Sequence, residues 1–261
     1  MTPSVRSFVA LGIMALPFRL LAADCGQLTN EGLSAQALKI ILDKVVAATP
    51  THPSPNGGLG FPMWLTLVDG SGKVCAVVNS LKGGEDVTAD IWLGSRVISA
   101  QKANTANDFS TGKLALSTAN LYAATQPGGS LYGLQASNPV DVSIAYQGPV
   151  TDYGTSRDPL IGRRIGGVNV FGGGLALYSG GRKIGALGVS GDTSCTDHVV
   201  AWKVRASTAF SAVPTNGAFD AMIQDITPNP YGGTGLSPSG FGHPTCLNNP
   251  TPAQAGGAIV N

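Results

Sequence analysis

Charge is what this sequence has least of. Charged side chains make up 12% of it, about half the usual share. Lys and Arg number 16 against 15 Asp and Glu, a formal net charge of +1. No basic field therefore exists to attract nucleic acid. Long apolar runs are also lacking: the N-terminal one, Phe8 to Phe18, is too short to span a bilayer. Histidine occurs only three times. No H-E-x-x-H, C-x-x-C or paired-carboxylate spacing is present, so zinc, calcium and thioredoxin chemistry have no motif here. Gly188-Val189-Ser190-Gly191-Asp192 is not G-x-S-x-G, because its fifth residue is Asp. Gly185, Gly188 and Gly191 do not form G-x-G-x-x-G and read better as close strand packing. Ser99 to Lys102 fits S-x-x-K, but neither S-D-N nor K-T-G accompanies it.

Glycine, in contrast, is abundant, at 36 of 261 residues. The length allows one sizeable core or two small ones. Arg6, the apolar run and the small pair Ala22-Ala23 resemble a secretory signal over residues 1–23. Its removal would leave a near-neutral chain with no membrane span, destined for the periplasm or the medium. Four cysteines would remain, Cys25, Cys75, Cys195 and Cys246. In an oxidising compartment an even number suggests two disulfides. Three pairings are open. The working choice joins Cys195 to Cys246, tying the tail to a turn, and Cys25 to Cys75.

Leu28 to Ala48 has the spacing of an amphipathic helix, and the prolines after it enforce a loop. Met63 to Val68 and Val74 to Val78 flank Asp69-Gly70-Ser71-Gly72, a hairpin signature. Asp86 to Phe109 reads as a second helix, entered near Thr88 or Asp90. Residues 110–172 are irregular and read as an insertion covering one end of the fold. A second hairpin, Leu175 to Tyr178 and Lys183 to Val189, leads into a helix ending near Phe210. Residues 213–261 form a Pro/Gly-rich tail. The predicted architecture is a single α+β domain over 24–212: an antiparallel sheet from two hairpins with helices packed on it.

The best site candidate is the corner where the last strand feeds the last helix. Ser190, Gly191, Asp192 and Thr193 lead into Ser194, which with Asp197 resembles a capping box. Backbone N–H groups left unpaired there, with the helix dipole, favour an anion. Lys102 lies on a helix face of small and apolar residues. It is either a snorkelling lysine or an ammonium aimed at this corner. His198 follows in the first helical turn, and His52 and His243 lie in Pro-rich segments. Arg163-Arg164 belongs to the insertion and reads as a solvated loop.

Four blocks carry a family resemblance: Leu65 to Lys73, Ser99 to Ala106, Gly172 to Leu177, and Gly185 to Gly191 followed by Asp197. Together they resemble the haem-binding GlcG/HbpS family, also described as a haem-degrading domain. The likeness covers about 33–109 and 172–210. It implies a small α+β domain that assembles into a homo-oligomer; the expected ligand is haem or another carboxylated molecule, its carboxylates on the Gly191–Cys195 donors with help from Lys102. The family lysine matches Lys102, which favours the reading in which its ammonium faces the corner. The expected ligand-binding residues are then Lys102, Ser190, Gly191 and Asp192, with Thr193, Ser194, Asp197 and His198. His198 is the candidate iron ligand. A second reading is an exported enzyme or accessory protein acting on a small organic acid or aromatic compound. Lys102, Asp197 and His198 would be its acid/base groups.

Overall fold

The computed structural model describes residues 23–47, 54–214, 220–228 and 235–261. The expected signal segment lies outside these, apart from Ala23. Helix α1 (Cys25–Asn30) and helix α2 (Ala35–Val46) replace the single helix predicted over Leu28 to Ala48. Gly32 breaks it with φ +98°, a left-handed conformation that only glycine adopts without strain. Ser34 then caps α2, its hydroxyl accepting the Ala37 N–H.

Strands β1 (Trp64–Asp69) and β2 (Val74–Asn79) form the first hairpin. Asp69 holds its turn, accepting the N–H groups of Ser71 and Lys73. Helix α3 (Ser95–Phe109) starts later than predicted. Residues 86–90 are taken up by a turn in which the Asp86 carboxylate accepts both the N–H and the hydroxyl of Thr88. This local bonding competes with the helix at its expected start. The insertion contributes only short helices, α4 (Tyr122–Thr125), α5 (Leu134–Ser137) and α6 (Val142–Ala145). Strands β3 (Gly174–Ser179) and β4 (Arg182–Ser190) make the second hairpin, and helix α7 (Ser194–Ala206) follows. The tail adds β5 (Met222–Ile223), α8 (Pro252–Ala255) and β6 (Ile259–Val260).

The sheet order is β2-β1-β4-β3, antiparallel throughout. The two hairpins therefore meet through their inner strands, and the α+β architecture follows. Both faces are covered. Leu65, Leu67, Leu175, Leu187 and Val189 pack with Leu38 and Leu42 of α2 and with Val200 and Val204 of α7. On the other face, Trp64, Val68 and Ala186 pack with Val97, Ala100 and Ala103 of α3. Leu160 and Ile165 of the insertion join that same cluster. Gly188 makes the close approach of α3 possible, because a Cβ there would collide with the Ser99 carbonyl and the Ala103 amide. Arg96 fastens the insertion to α3. Its Nε donates to Asp158 at 2.9 Å, its Nη1 donates to the Ala145 carbonyl at 2.9 Å, and its guanidinium stacks on Tyr153. The cysteines pair as Cys25–Cys75 and Cys195–Cys246. Among the described residues, no helix is long and apolar enough to cross a membrane.

Candidate functional site at the strand-to-helix corner

Strand β4 ends at Ser190, and α7 begins four residues later. The cap is Thr193, whose hydroxyl accepts the Thr196 N–H. This corrects the capping box expected from Ser194 and Asp197. Asp197 serves another purpose: its Oδ1 accepts the Asp192 N–H at 3.0 Å and its Oδ2 accepts the Lys102 ammonium at 2.7 Å. Lys102 reaches the corner from α3 and also donates to the Val189 carbonyl at 3.1 Å. The pair is almost solvent-free, with Lys102 1% and Asp197 2% exposed. Burial pushes the Lys102 ammonium below its usual range against the raising effect of Asp197. Burial likewise pushes the Asp197 carboxyl up to about 6 against the lowering effect of Lys102. Each partner is thus held charged mainly by the other.

A second carboxylate fills the rest of the corner. Asp192 accepts the N–H groups of Leu59, Gly60 and Phe61 at 2.7–3.2 Å, and that of Thr193 at 2.6 Å. The loop from the N-terminal half is thereby strapped across the start of α7. An anion does sit where the backbone favours one, but it belongs to the chain. The amides of Asp192, Thr193, Cys195 and Thr196 are taken by Asp197, Asp192, the Cys246 sulfur and Thr193. Within Gly191–Cys195, where ligand carboxylates are expected with help from Lys102, the amides of Asp192, Thr193 and Cys195 are engaged by protein groups, and Lys102 is engaged by Asp197.

His198 is completely buried, and burial lowers its pKa to about 3. Its Nδ1 accepts the Gly173 N–H at 3.4 Å. The neutral ring then carries its proton on Nε2, while a hydrogen bond with the Asp220 backbone favours the protonated ring. A nitrogen bearing a proton has no lone pair for iron, so His198 does not fit the role of haem ligand in this arrangement. The second histidine at the corner is His243, from the tail, whose burial lowers its pKa to about 4. His52 lies outside the described residues. Arg164 is engaged with Ser71, through Nε to the carbonyl at 2.8 Å and Nη2 to the hydroxyl at 2.7 Å.

Sequence reasoning brought Lys102, Asp197 and the turn together but missed their partners. The straps from Leu59 to Phe61, the Asp220 partner of Arg205, and His243 come from segments read only as loop or tail. The run Gly57-Gly58-Leu59-Gly60 was the one available signal, since clustered glycines mark backbone that must approach something closely.

A family model described as haem degrading protein HbpS-like spans residues 57–206, more than half of the 261-residue chain. The chain belongs to this family. The match spans the sheet, α3, the insertion and α7, and leaves α2 and the tail outside it. None of the curated proteins compared with this family member matches it. Two of the solved structures similar to it can be compared with it. One is described as a PduOC:heme complex, 22% identical, covering 66% of this chain and 90% of that one with a TM-score of 0.44. The other is the Klebsiella pneumoniae protein ORFY, 24% identical, covering 66% of this chain and 85% of that one with a TM-score of 0.41. At these TM-scores neither likeness carries an argument about function.

Proposed function

We propose that this family member is an exported haem-binding protein that works as a homo-oligomer, with the 190–198 corner as a rigid wall of its fold. The observation that carries the haem reading is the family match over residues 57–206. The corner's own chemistry limits the form of the reading. Its donors are already matched by Asp192 and Asp197, and His198 offers a protonated nitrogen. No iron ligand is therefore assigned among Ser190 to His198. Two disulfides support export, because such bonds persist in oxidising compartments. Phe61 and Trp92 support the oligomer: their rings lie 4.9 Å apart, and both side chains are exposed, a surface a second copy would cover. The enzyme reading would require Lys102, Asp197 and His198 to touch a substrate, and all three are buried.

The test is a haem titration of the purified chain, followed in the Soret region, alongside His198→Phe. The expected result is a shifted Soret band of equal amplitude in both proteins. No shift in well-folded wild type removes the haem reading. A shift lost only in His198→Phe would instead show that the corner opens and that His198 is the ligand.

A further inference from the structure

We infer that the reduced protein holds a thiophilic divalent cation of the Zn2+ class on Cys195, Cys246 and His243. The ligand atoms of these three residues lie within 4.8 Å of one another. They come from α7 and the tail, outside the Lys102–Asp197 pair. His243 is oriented as a ligand. Its Nδ1 lies 2.7 Å from the Pro244 carbonyl, which only accepts, so Nδ1 holds the proton. The lone pair is then on Nε2, 3.2 Å from the Ser194 hydroxyl, which itself lies 3.5 Å from Cys246 Sγ. A histidine whose far nitrogen is fixed by a carbonyl is the usual arrangement around a bound metal. The ring is 1% exposed.

The sulfurs are equally prepared. Cys246 Sγ receives the Cys195 N–H at 3.2 Å, and Cys195 Sγ receives the Gln224 amide at 3.4 Å. Donors of this kind favour thiolates. Two thiolates and one imidazole are a soft donor set that suits Zn2+, and two negative charges cancel the cation's two. The Ser194 hydroxyl or a water completes four-coordination. The other cysteine pair has the Asp69 carboxylate beside it, a harder ligand than imidazole, and its Oδ2 lies 3.8 Å from the Lys73 ammonium.

In the oxidised chain the two sulfurs are bonded to each other. A dithiol reductant opens the site. One of its thiolates attacks Cys246 Sγ, which is part-exposed, and Cys195 leaves as thiolate. The reductant's second thiolate then resolves the mixed disulfide, releasing Cys246 and leaving the reductant oxidised. Two electrons have entered the protein, and any protons on the two sulfurs leave when the metal binds.

The test reduces the full chain with a phosphine under argon, removes the reductant, and titrates Co2+ as a coloured probe. The reduced chain is expected to bind one Co2+ with thiolate-to-metal absorption that Zn2+ displaces, and the oxidised chain none. His243→Ala, which leaves both disulfides able to form, should weaken binding at least tenfold. Asp69→Asn should change nothing. No thiolate band in reduced wild type, or a band that survives His243→Ala and disappears in Asp69→Asn, overturns the assignment. Should the reduced chain lose its fold, the readout becomes far-UV circular dichroism on adding Zn2+. Recovery in wild type but not in His243→Ala supports the site, and no recovery overturns it.

Discussion

Removing the Asp197 carboxylate should be among the most damaging single changes at the corner, and the reasoning can be checked by a double-mutant cycle. Asp197→Ala leaves the Lys102 ammonium buried with only the Val189 carbonyl, and leaves the Asp192 N–H without its acceptor. Breaking one side of a buried ion pair costs about 3–5 kcal/mol. The unpaired N–H adds about 1–3 kcal/mol in its own right. Lys102→Met strands the carboxylate but keeps its bond to the Asp192 N–H, so about 3 kcal/mol is expected. The double variant Lys102→Met/Asp197→Ala removes both charges and leaves mainly the N–H unpaired, a loss of about 1–3 kcal/mol. With mid-range losses of about 6 and about 3 kcal/mol for the singles and about 2 kcal/mol for the double, the coupling energy should be about 7 kcal/mol, far above what an exposed pair gives. Domain stability of about 5–15 kcal/mol leaves the single variants measurable in the cold. Urea unfolding followed by the fluorescence of buried Trp64 gives each value. Single variants costing less than about 1 kcal/mol, or a double variant equal to the sum of the singles, would refute the keystone role of the pair.

Two further outcomes follow from buried groups. His198 and His243 have folded pKa values of about 3 and about 4, below the ordinary value of 6.5. Their contribution is fully present above pH 6.5 and is lost as pH falls towards those values. Each should cost about 2 kcal/mol between pH 7 and pH 5. Asp197, whose folded pKa is raised, acts in the opposite sense and favours the folded state below about pH 6. Urea midpoints for wild type and His243→Phe across this range test the sign, since the variant should show a shallower acid limb. Asp158→Ala leaves the Arg96 guanidinium buried without its carboxylate, a loss of about 3–5 kcal/mol. It should free the insertion first, and limited proteolysis should cut within 110–172 before the sheet is touched.

Much of the fold was legible because it is local. Asp69 to Gly72 and Ser179 to Gly181 announce two hairpins, since their turn chemistry resides in the turn residues themselves. The helices were legible in type but not in extent. Gly32 divides the first, and the Asp86–Thr88 turn delays the second. Both effects are single-residue events that hydrophobic spacing averages away. The disulfides needed distance, which spacing along the chain does not give.

At the corner, the chain order alone determined that a strand would pass through a glycine turn and hand over to a helix with unpaired amides, and that an anion would be wanted there. Only the tertiary structure decided which anion. Lys102 and Asp197 are 95 residues apart, and Leu59 and Asp192 are 133 apart. Demand for a negative group is a property of a few consecutive peptide units. Supply is settled by which segments pack beside them. Here the chain folds two of its own carboxylates into the place, because a buried donor left unmatched costs more than ordering the loop that matches it.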